Sequence, residues 1–149
     1  MTGFQNPPEP EIRALLKRVR TIAVVGLSPR PTRPSHRVAS ALKRYGYRIV
    51  PVRPAVEQVL DERAFASLRE LPFKPDLVDV FRAPEFVDAI VEDCIALRIP
   101  ALWLQEGVVD EVAAARARDA GIVVIMDRCI YRDYERLFGG APLATLSRP

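Results

Sequence analysis

The segment of this sequence that is best suited to chemistry is 26–36 (GLSPRPTRPSH), which joins an apolar, β-branched run to the start of a predicted helix. Free backbone N–H groups and the helix dipole favour an anion at such a junction. Gly26 would let the backbone approach a ligand, and Ser28 and Ser35 would supply hydroxyl donors. Arg33 would add a charged fork that suits phosphate oxygens. The segment predicts a phosphate site, although a simple turn at Gly26 and a solvated helix end at Ser35 explain the same residues.

This loop is not the G-x-G-x-x-G fingerprint of dinucleotide-binding proteins, because Ser28 and Pro31 stand where the later glycines would be. The second predicted strand ends in PVRP (51–54), at a point where an NAD-binding protein places an acid on the ribose hydroxyls. Arg53 at that position argues against NAD and suits a ribose that carries a phosphate, as in NADP or coenzyme A. The alternative for Arg53 is a solvated loop arginine.

Few residues of this chain are suited to catalysis or to metal binding. His36 is the only histidine, which excludes most serine and cysteine triads because they use a histidine as the base. The two cysteines, Cys94 and Cys129, form neither a CxxC motif nor a Cys/His spacing, so we expect no metal. Four acid–base candidates near predicted strand ends form no compelling pair, namely Glu106, Asp127, Tyr131 and Tyr134.

Alternating strands and helices are predicted to position these residues. Apolar spacing and terminal residues predict helices that begin near residue 12, at Pro34 (ending at Gly46), at Pro84 and at residue 111. Segment 53–75 has the weakest pattern, with at most a short strand and one helical turn. The predicted strands are 21–27, 47–52, 77–81, 101–104 and 122–126. This order predicts a doubly wound α/β domain with a five-stranded parallel sheet, helices on both faces, and a ligand crevice at the carboxyl ends of the strands.

Length and composition are those of one globular domain. The chain has 149 residues, of which 49% are hydrophobic and 28% charged, and no apolar run is long enough to span a membrane. We expect a flexible leader at 1–10, a ligand-binding domain at 11–138 and a flexible tail at 139–149. The polar N-terminus with several prolines is unlike a secretory signal, so the predicted location is the cytoplasm, with no membrane partner.

The positive charge of the chain is concentrated in its first part. Residues 1–60 contain eleven basic side chains against three acidic ones, whereas the net charge of the whole chain is only +3. This distribution supports an anionic ligand near the predicted phosphate loop. A nucleic-acid partner is not expected, since the sequence contains no recognisable recognition helix and no basic strand studded with aromatic residues.

Four ordered segments of the sequence resemble a known family. They are VVGLSPRPTRPSHRVASALKRYGYRIVPVRP (24–54), VDVFRAPE (78–85), WLQEGVVDEVAAARARDAG (103–121) and MDRC (126–129). Over about 21–137 the chain is similar to the small single-domain CoA-binding proteins, relatives of the CoA-binding domain in the alpha subunit of succinyl-CoA synthetase. The resemblance implies a Rossmann-like fold with coenzyme A along the carboxyl edge of the sheet.

The resemblance also implies a role for each matching residue. Two further residues are candidates from their position alone: Gln105, after the fourth strand, could meet the pantetheine arm unless this loop is only core and turn, and Pro34 opens the helix at the phosphate loop. The chain departs from the family pattern at Arg53, where the family has Asn, and at Tyr134, where it has His. The other implied contacts are Gly26, Leu27, Ser28, Arg33 and Ser35 for the pyrophosphate, Arg53 and Pro54 for the adenosine end, and Val80, Phe81 and Arg82 across the crevice.

The function that follows is non-catalytic binding of coenzyme A or an acyl-CoA. The synthetase relatives catalyse through a phosphorylated histidine on a further domain, and we expect neither that domain nor a spare histidine here. An enzyme that uses NADP or another nucleotide in the same crevice is the alternative, and a regulatory partner protein is a third interpretation. Cys129 is adjacent to Arg128, which would lower its thiol pKa, so a disulfide with the coenzyme thiol is one hypothesis and a small structural residue the other.

Overall fold

The structure is a computed structural model that describes residues 3–146 of the chain. The strands are β1 (Thr21–Val25), β2 (Arg48–Val52), β3 (Gln58–Val59), β4 (Glu62–Arg63), β5 (Leu77–Val80), β6 (Ala101–Leu104) and β7 (Val123–Met126). The helices are α1 (Glu9–Arg18), α2 (Pro34–Tyr45), α3 (Val87–Ala96), α4 (Glu111–Asp119) and α5 (Ile130–Phe138).

Five parallel strands form the central sheet in the order β2-β1-β5-β6-β7. After β2 the chain crosses back over β1, so the order reverses between β1 and β5. This reversal creates a crevice at the carboxyl ends of the two strands, where doubly wound proteins bind their ligands. The predicted Rossmann-like, five-stranded parallel sheet is therefore confirmed.

Helices cover both faces of the sheet and create two hydrophobic cores. One core packs α1, α2 and α5 against the sheet, with Leu16, Leu42 and Tyr134 fully buried in it. The other packs α3 and α4 on the opposite face, around Val91 and Ala117. Every residue of β5 is buried, as expected for a strand covered on both sides.

Helix α2 has the predicted boundaries. Pro34 occupies its first turn, where the missing N–H of proline costs no hydrogen bond, and Gly46 ends it in the left-handed conformation (φ +119°). These two residues fix where the helix starts relative to the end of β1, and so they set the length of the phosphate loop.

Helix α5 is absent from the sequence prediction. Its N-cap residue is Cys129, which gives no side-chain capping hydrogen bond, so the usual start signal is missing. The apolar spacing of Ile130, Tyr134 and Leu137 at i, i+4 and i+7 was the available signal. The short β3–β4 hairpin also lies in the segment whose pattern was weakest.

Both ends of the described chain pack on the domain, whereas a flexible leader and tail were expected. Asn6 exchanges two hydrogen bonds with the backbone of Met126 (Nδ2 to O 3.0 Å, N to Oδ1 2.7 Å), beside the edge strand β7. At the other end Leu143 is 4% exposed, and the Tyr134 hydroxyl donates to the Ala141 carbonyl (2.6 Å). Residues 1, 2 and 147–149 of the expected leader and tail lie outside the described residues. No helix within 3–146 is long and apolar enough to cross a membrane.

Candidate functional site

A cleft of about 1510 Å³ opens at the reversal point of the sheet. Its walls are the loop after β1, one face of α2, the loop after β2 and the start of α5. Nine of the twelve residues predicted for the site line it, namely Gly26, Ser28, Arg33, Pro34, Ser35, Arg53, Pro54, Phe81 and Gln105. The structure therefore brings residues from four separate loops together, as expected for the carboxyl edge of a parallel sheet.

The other three predicted residues are placed differently. The side chains of Leu27 and Val80 are fully buried in the two cores, so only their backbone groups can face the cleft. Arg82 does not line the cleft, because its guanidinium lies 3.9 Å above the ring centre of Phe86. Side-chain alternation along the strands accounts for the placement of Val80, since its neighbour Phe81 points to the cleft side.

Gly26 lets the ends of β1 and β5 approach closely. Its φ is +86°, and a Cβ built at this position would lie 2.4 Å from the Phe81 carbonyl oxygen, a separation that real Cβ atoms do not show. Its N–H donates to the Val52 carbonyl (2.9 Å), which ties the start of the loop to β2. Position 26 therefore requires glycine for two reasons, because its backbone is left-handed and because a side chain would collide with β5.

The two serines organise the loop. The buried Ser35 hydroxyl oxygen accepts the Ser28 N–H (3.0 Å), and the Ser28 hydroxyl oxygen accepts the Arg30 N–H (3.1 Å). Because each oxygen is used as an acceptor, each hydroxyl hydrogen remains available to donate to a ligand. Sequence reasoning anticipated the donors but not that the same hydroxyls hold the loop in shape.

The N-terminus of α2 faces the cleft without a capping group. Its N-cap residue, Arg33, makes no side-chain capping bond, and the first turn contains no acidic residue. Within residues 3–146 the Ser35 N–H has no hydrogen-bond partner. A free N–H group at the positive end of a twelve-residue helix is a favourable environment for an anion.

A set of arginines surrounds this helix end. Three of them, Arg30, Arg37 and Arg44, were not among the predicted site residues, although positions 33, 37 and 44 fall on one helical face. Arg53 donates to the Gly26 carbonyl (3.3 Å), which holds its guanidinium over the start of the phosphate loop. Five cleft arginines have no carboxylate partner within 3–146, namely Arg30, Arg33, Arg37, Arg44 and Arg53.

Two buried polar side chains, Gln105 in the cleft lining and Asp79 within the sheet, have groups without a partner among the described residues. Gln105 is only 4% exposed, its Oε1 accepts the Ile130 N–H (3.3 Å), and its Nε2 has no partner within 3–146. Asp79 is fully buried, and neither of its carboxyl oxygens has a described partner. Burial raises the pKa of Asp79 well above its ordinary value, which favours the protonated carboxyl. The β5–β6 register sets Asp79 opposite Trp103, two residues before Gln105 on the same face.

The expected effect of Arg128 on Cys129 is wrong. Arg128 forms a two-pronged ion pair with Asp133 (2.8 Å to each carboxyl oxygen), which fixes the guanidinium there. The pKa of the Cys129 thiol is raised, because partial burial outweighs the opposite effect of the nearby backbone N–H groups of Arg132 and Tyr131.

The acid–base candidates do not form a catalytic group. Glu106 lines the cleft but is bound by Arg132 (2.7 Å), and Asp127 accepts the Gly107 N–H (2.8 Å). Tyr134 is fully buried and stacks on Tyr45 with ring centres 3.9 Å apart. Tyr134 therefore joins α5 to α2 and does not line the cleft. No group of three or more His, Cys, Asp or Glu side chains within 3–146 could hold a metal ion.

A parallel sheet with a basic cleft at its reversal point defines the class of Rossmann-like α/β domains. Residues 20–135 match the CoA binding domain family, and the chain belongs to this family. The predicted resemblance is confirmed.

Proteins of similar sequence and structure agree with this assignment. The uncharacterized protein YneT of Bacillus subtilis (strain 168) is 42% identical over 127 residues, 85% of this chain and 94% of YneT. The structure of a hypothetical protein from Pyrococcus horikoshii OT3 has a TM-score of 0.86 and 32% identity, covering 93% of this chain and 100% of that one. A Thermus thermophilus structure has a TM-score of 0.84 and 37% identity, covering 89% of this chain and 100% of that one. Each is similar to this chain over almost its whole length.

Proposed function

We propose that this protein binds coenzyme A or an acyl-CoA and does not catalyse turnover of it. The observation that carries the proposal is the set of five arginines without carboxylate partners around the uncapped N-terminus of α2. Coenzyme A carries a pyrophosphate and a ribose phosphate, and charged, forked donors recognise such groups. Membership of the CoA binding domain family supports the same ligand.

The residues of the cleft fit this ligand in three ways. Gly26 lines the cleft, so a pyrophosphate can approach the backbone of the loop there, where Arg33 and the Ser28 and Ser35 hydroxyls supply donors. Arg53, at the end of β2, is assigned to the ribose phosphate. Coenzyme A supplies a thiol that carries acyl groups as thioesters. The unpartnered Nε2 of Gln105 is a donor for a carbonyl on the pantetheine arm or its acyl group.

The absence of turnover is inferred from the engaged acid–base groups. Glu106 is neutralised by Arg132, and Tyr134 is buried with its hydroxyl donating to a carbonyl. Among the residues of the cleft, His36 and Tyr131 have no carboxylate beside them to orient a proton transfer. An NADP-dependent enzyme stays the alternative, and calorimetric titration with coenzyme A, acetyl-CoA and NADP separates the two. Saturable binding of coenzyme A supports the proposal, whereas binding of NADP alone contradicts it.

Charge reversal at Arg33 weakens binding without unfolding the protein. We expect Arg33→Glu to raise the dissociation constant for coenzyme A by about tenfold or more, because a charge-assisted contact is replaced by repulsion. The exposed Arg33 side chain makes no described hydrogen bond, so the thermal midpoint should stay nearly unchanged. The matched control is Arg18→Glu, which makes the same charge change at the end of α1, outside the cleft. A large fall in the melting temperature of Arg33→Glu would instead assign Arg33 a structural role.

Arg53 is expected to distinguish coenzyme A from dephospho-CoA, which lacks the ribose phosphate. The wild-type protein should bind coenzyme A about tenfold or more tightly than dephospho-CoA, in line with one charged hydrogen bond. Arg53→Gln should remove most of that difference, and Arg53→Lys should keep part of it because the charge remains. Equal affinity of the wild-type protein for the two ligands would contradict this role and leave coenzyme A binding intact.

A further inference from the structure

Cys129 packs against the core of α1, α2 and α5 and also lines the cleft, so part of its side chain faces the predicted ligand site. It lines the cleft, is partly buried and caps the N-terminus of the nine-residue helix α5. The nearby backbone N–H groups of Tyr131 and Arg132 act to lower the pKa of this thiol, although neither forms a hydrogen bond to the sulfur. The other cysteine, Cys94, belongs to α3, is fully buried and does not line the cleft.

Gln105 supplies a second and independent observation at the same place. Its Oε1 is held by the N–H of Ile130, the residue that follows Cys129, so the side-chain amide is fixed next to the cysteine. Its Nε2 is buried and has no partner within the described residues, which costs free energy in a folded protein. A ligand oxygen beside Cys129 would satisfy this donor. A thiol is a weak acceptor, whereas the carbonyl oxygen of a thioester is a suitable one.

We propose that Cys129 accepts the acyl group of a bound acyl-CoA, with the Gln105 amide donating to the thioester carbonyl oxygen. The Cys129 sulfur, after giving up its proton, attacks the carbonyl carbon and forms a new C–S bond. The C–S bond to coenzyme A then breaks, and the departing coenzyme A thiolate takes up a proton. One thioester replaces another, so no oxidant or reductant is required. This inference rests on the proposed function, since the acyl donor must first bind in the cleft.

The Gln105 amide has the role of an oxyanion-hole donor in this step. Negative charge moves onto the carbonyl oxygen as the sulfur attacks, and a buried donor that is already fixed stabilises that charge without reorganising. Burial raises the pKa of the Cys129 thiol, so the thiolate is a minor species at neutral pH and the transfer is slow compared with binding. The expected product is one acyl group per chain.

Intact-mass spectrometry of the full chain after incubation with acetyl-CoA tests the proposal. We expect one added acetyl group that maps to Cys129 and is removed by neutral hydroxylamine, as a thioester is. Cys129→Ser should lose the hydroxylamine-sensitive adduct, whereas the matched variant Cys94→Ala should keep it. The urea-unfolded wild-type chain should react at least about tenfold more slowly, because fixed donors accelerate the folded protein. Equal rates in the folded and unfolded chains would overturn the proposal.

Variants at Gln105 test the oxyanion role. Gln105→Met should slow acetylation by on the order of 10²-fold, the usual effect of losing one such donor. If that variant does not fold, Gln105→Glu keeps the acceptor for the Ile130 N–H and, when ionised, has no donor for the thioester carbonyl and repels the developing negative charge, so acetylation should again be slowed. Calorimetry with free coenzyme A on the wild-type protein distinguishes a failure of acyl transfer from a failure of ligand binding. Binding without any adduct overturns the acyl transfer alone, and no binding overturns both it and the proposed function.

Discussion

Replacing Gly26 by alanine is expected to lower the free energy of unfolding by about 2–5 kcal/mol, the sum of a left-handed backbone penalty and an overpacked contact. The new Cβ would lie 2.4 Å from the Phe81 carbonyl oxygen, which belongs to the backbone and cannot rotate away. The ends of β1 and β5 must then separate, and this separation distorts the crevice. Urea denaturation measures the loss of stability, and calorimetry should show coenzyme A binding falling at the same time.

Gly121→Ala is the matched control for this experiment. Gly121 has φ +93°, close to that of Gly26, but a Cβ there meets no atom within 4 Å. Its substitution should cost only the backbone penalty of about 1–2 kcal/mol. If the two variants lose the same stability, the close contact between β1 and β5 is not what requires glycine at position 26.

Asp79→Leu is expected to stabilise the protein at pH 8 by more than about 1 kcal/mol, because it removes a buried polar group that has no described partner. The pKa of this carboxyl is raised by burial from an ordinary value of 3.8. As the pH rises, the unfolded chain therefore loses the proton first, and ionisation favours unfolding. The favourable contribution of protonated Asp79 to the free energy of unfolding is therefore fully present below about pH 3.8, the ordinary pKa of the unfolded chain. It is lost as the pH rises through the higher pKa of the folded protein.

The pH dependence separates this effect from simple packing. The advantage of Asp79→Leu over the wild type should shrink as the pH falls towards 4, measured as the difference in urea denaturation midpoints. Asp79→Asn is the matched control, since it keeps a polar group of the same size and cannot ionise. This variant should remove the pH dependence of the free energy of unfolding that Asp79 causes. It should keep part of the free-energy cost of burying a polar group. If the free energy of unfolding of the wild type rises between pH 4 and 8 relative to that of Asp79→Asn, the pKa of Asp79 is not raised by burial.

The fold was readable from the sequence where local signals and the global arrangement agree. Nearly all residues of 21–27 are apolar, which is typical of a parallel strand whose two faces are both buried. Pro34 and Gly46 mark the start and the end of α2. Helix α5 was missed because a cysteine is not a recognised N-cap. The β3–β4 hairpin was missed because strands of two residues leave no periodicity to detect.

The site was readable only in part, because it depends on contacts between distant elements. The phosphate loop and Arg53 follow from position alone, since both come directly after a strand. Arg37 and Arg44 face the cleft only because α2 packs with that side towards the strand ends. The paired state of Arg128 with Asp133 could not be inferred from adjacency to Cys129. Neighbours in sequence are poor guides to charge partners in a folded chain.

The pairing of Asn6 with Met126 has a consequence for how copies of this chain behave at high concentration. A parallel sheet ends in two strands whose outer N–H and C=O groups can recruit a strand from another molecule. Asn6 covers one of these margins at Met126, and Phe65, bridged to Val52, covers part of the other. Removing the first residues of the chain would expose the margin at β7. The bonds of Asn6 thus leave fewer free backbone groups on β7 with which a strand of another molecule could pair.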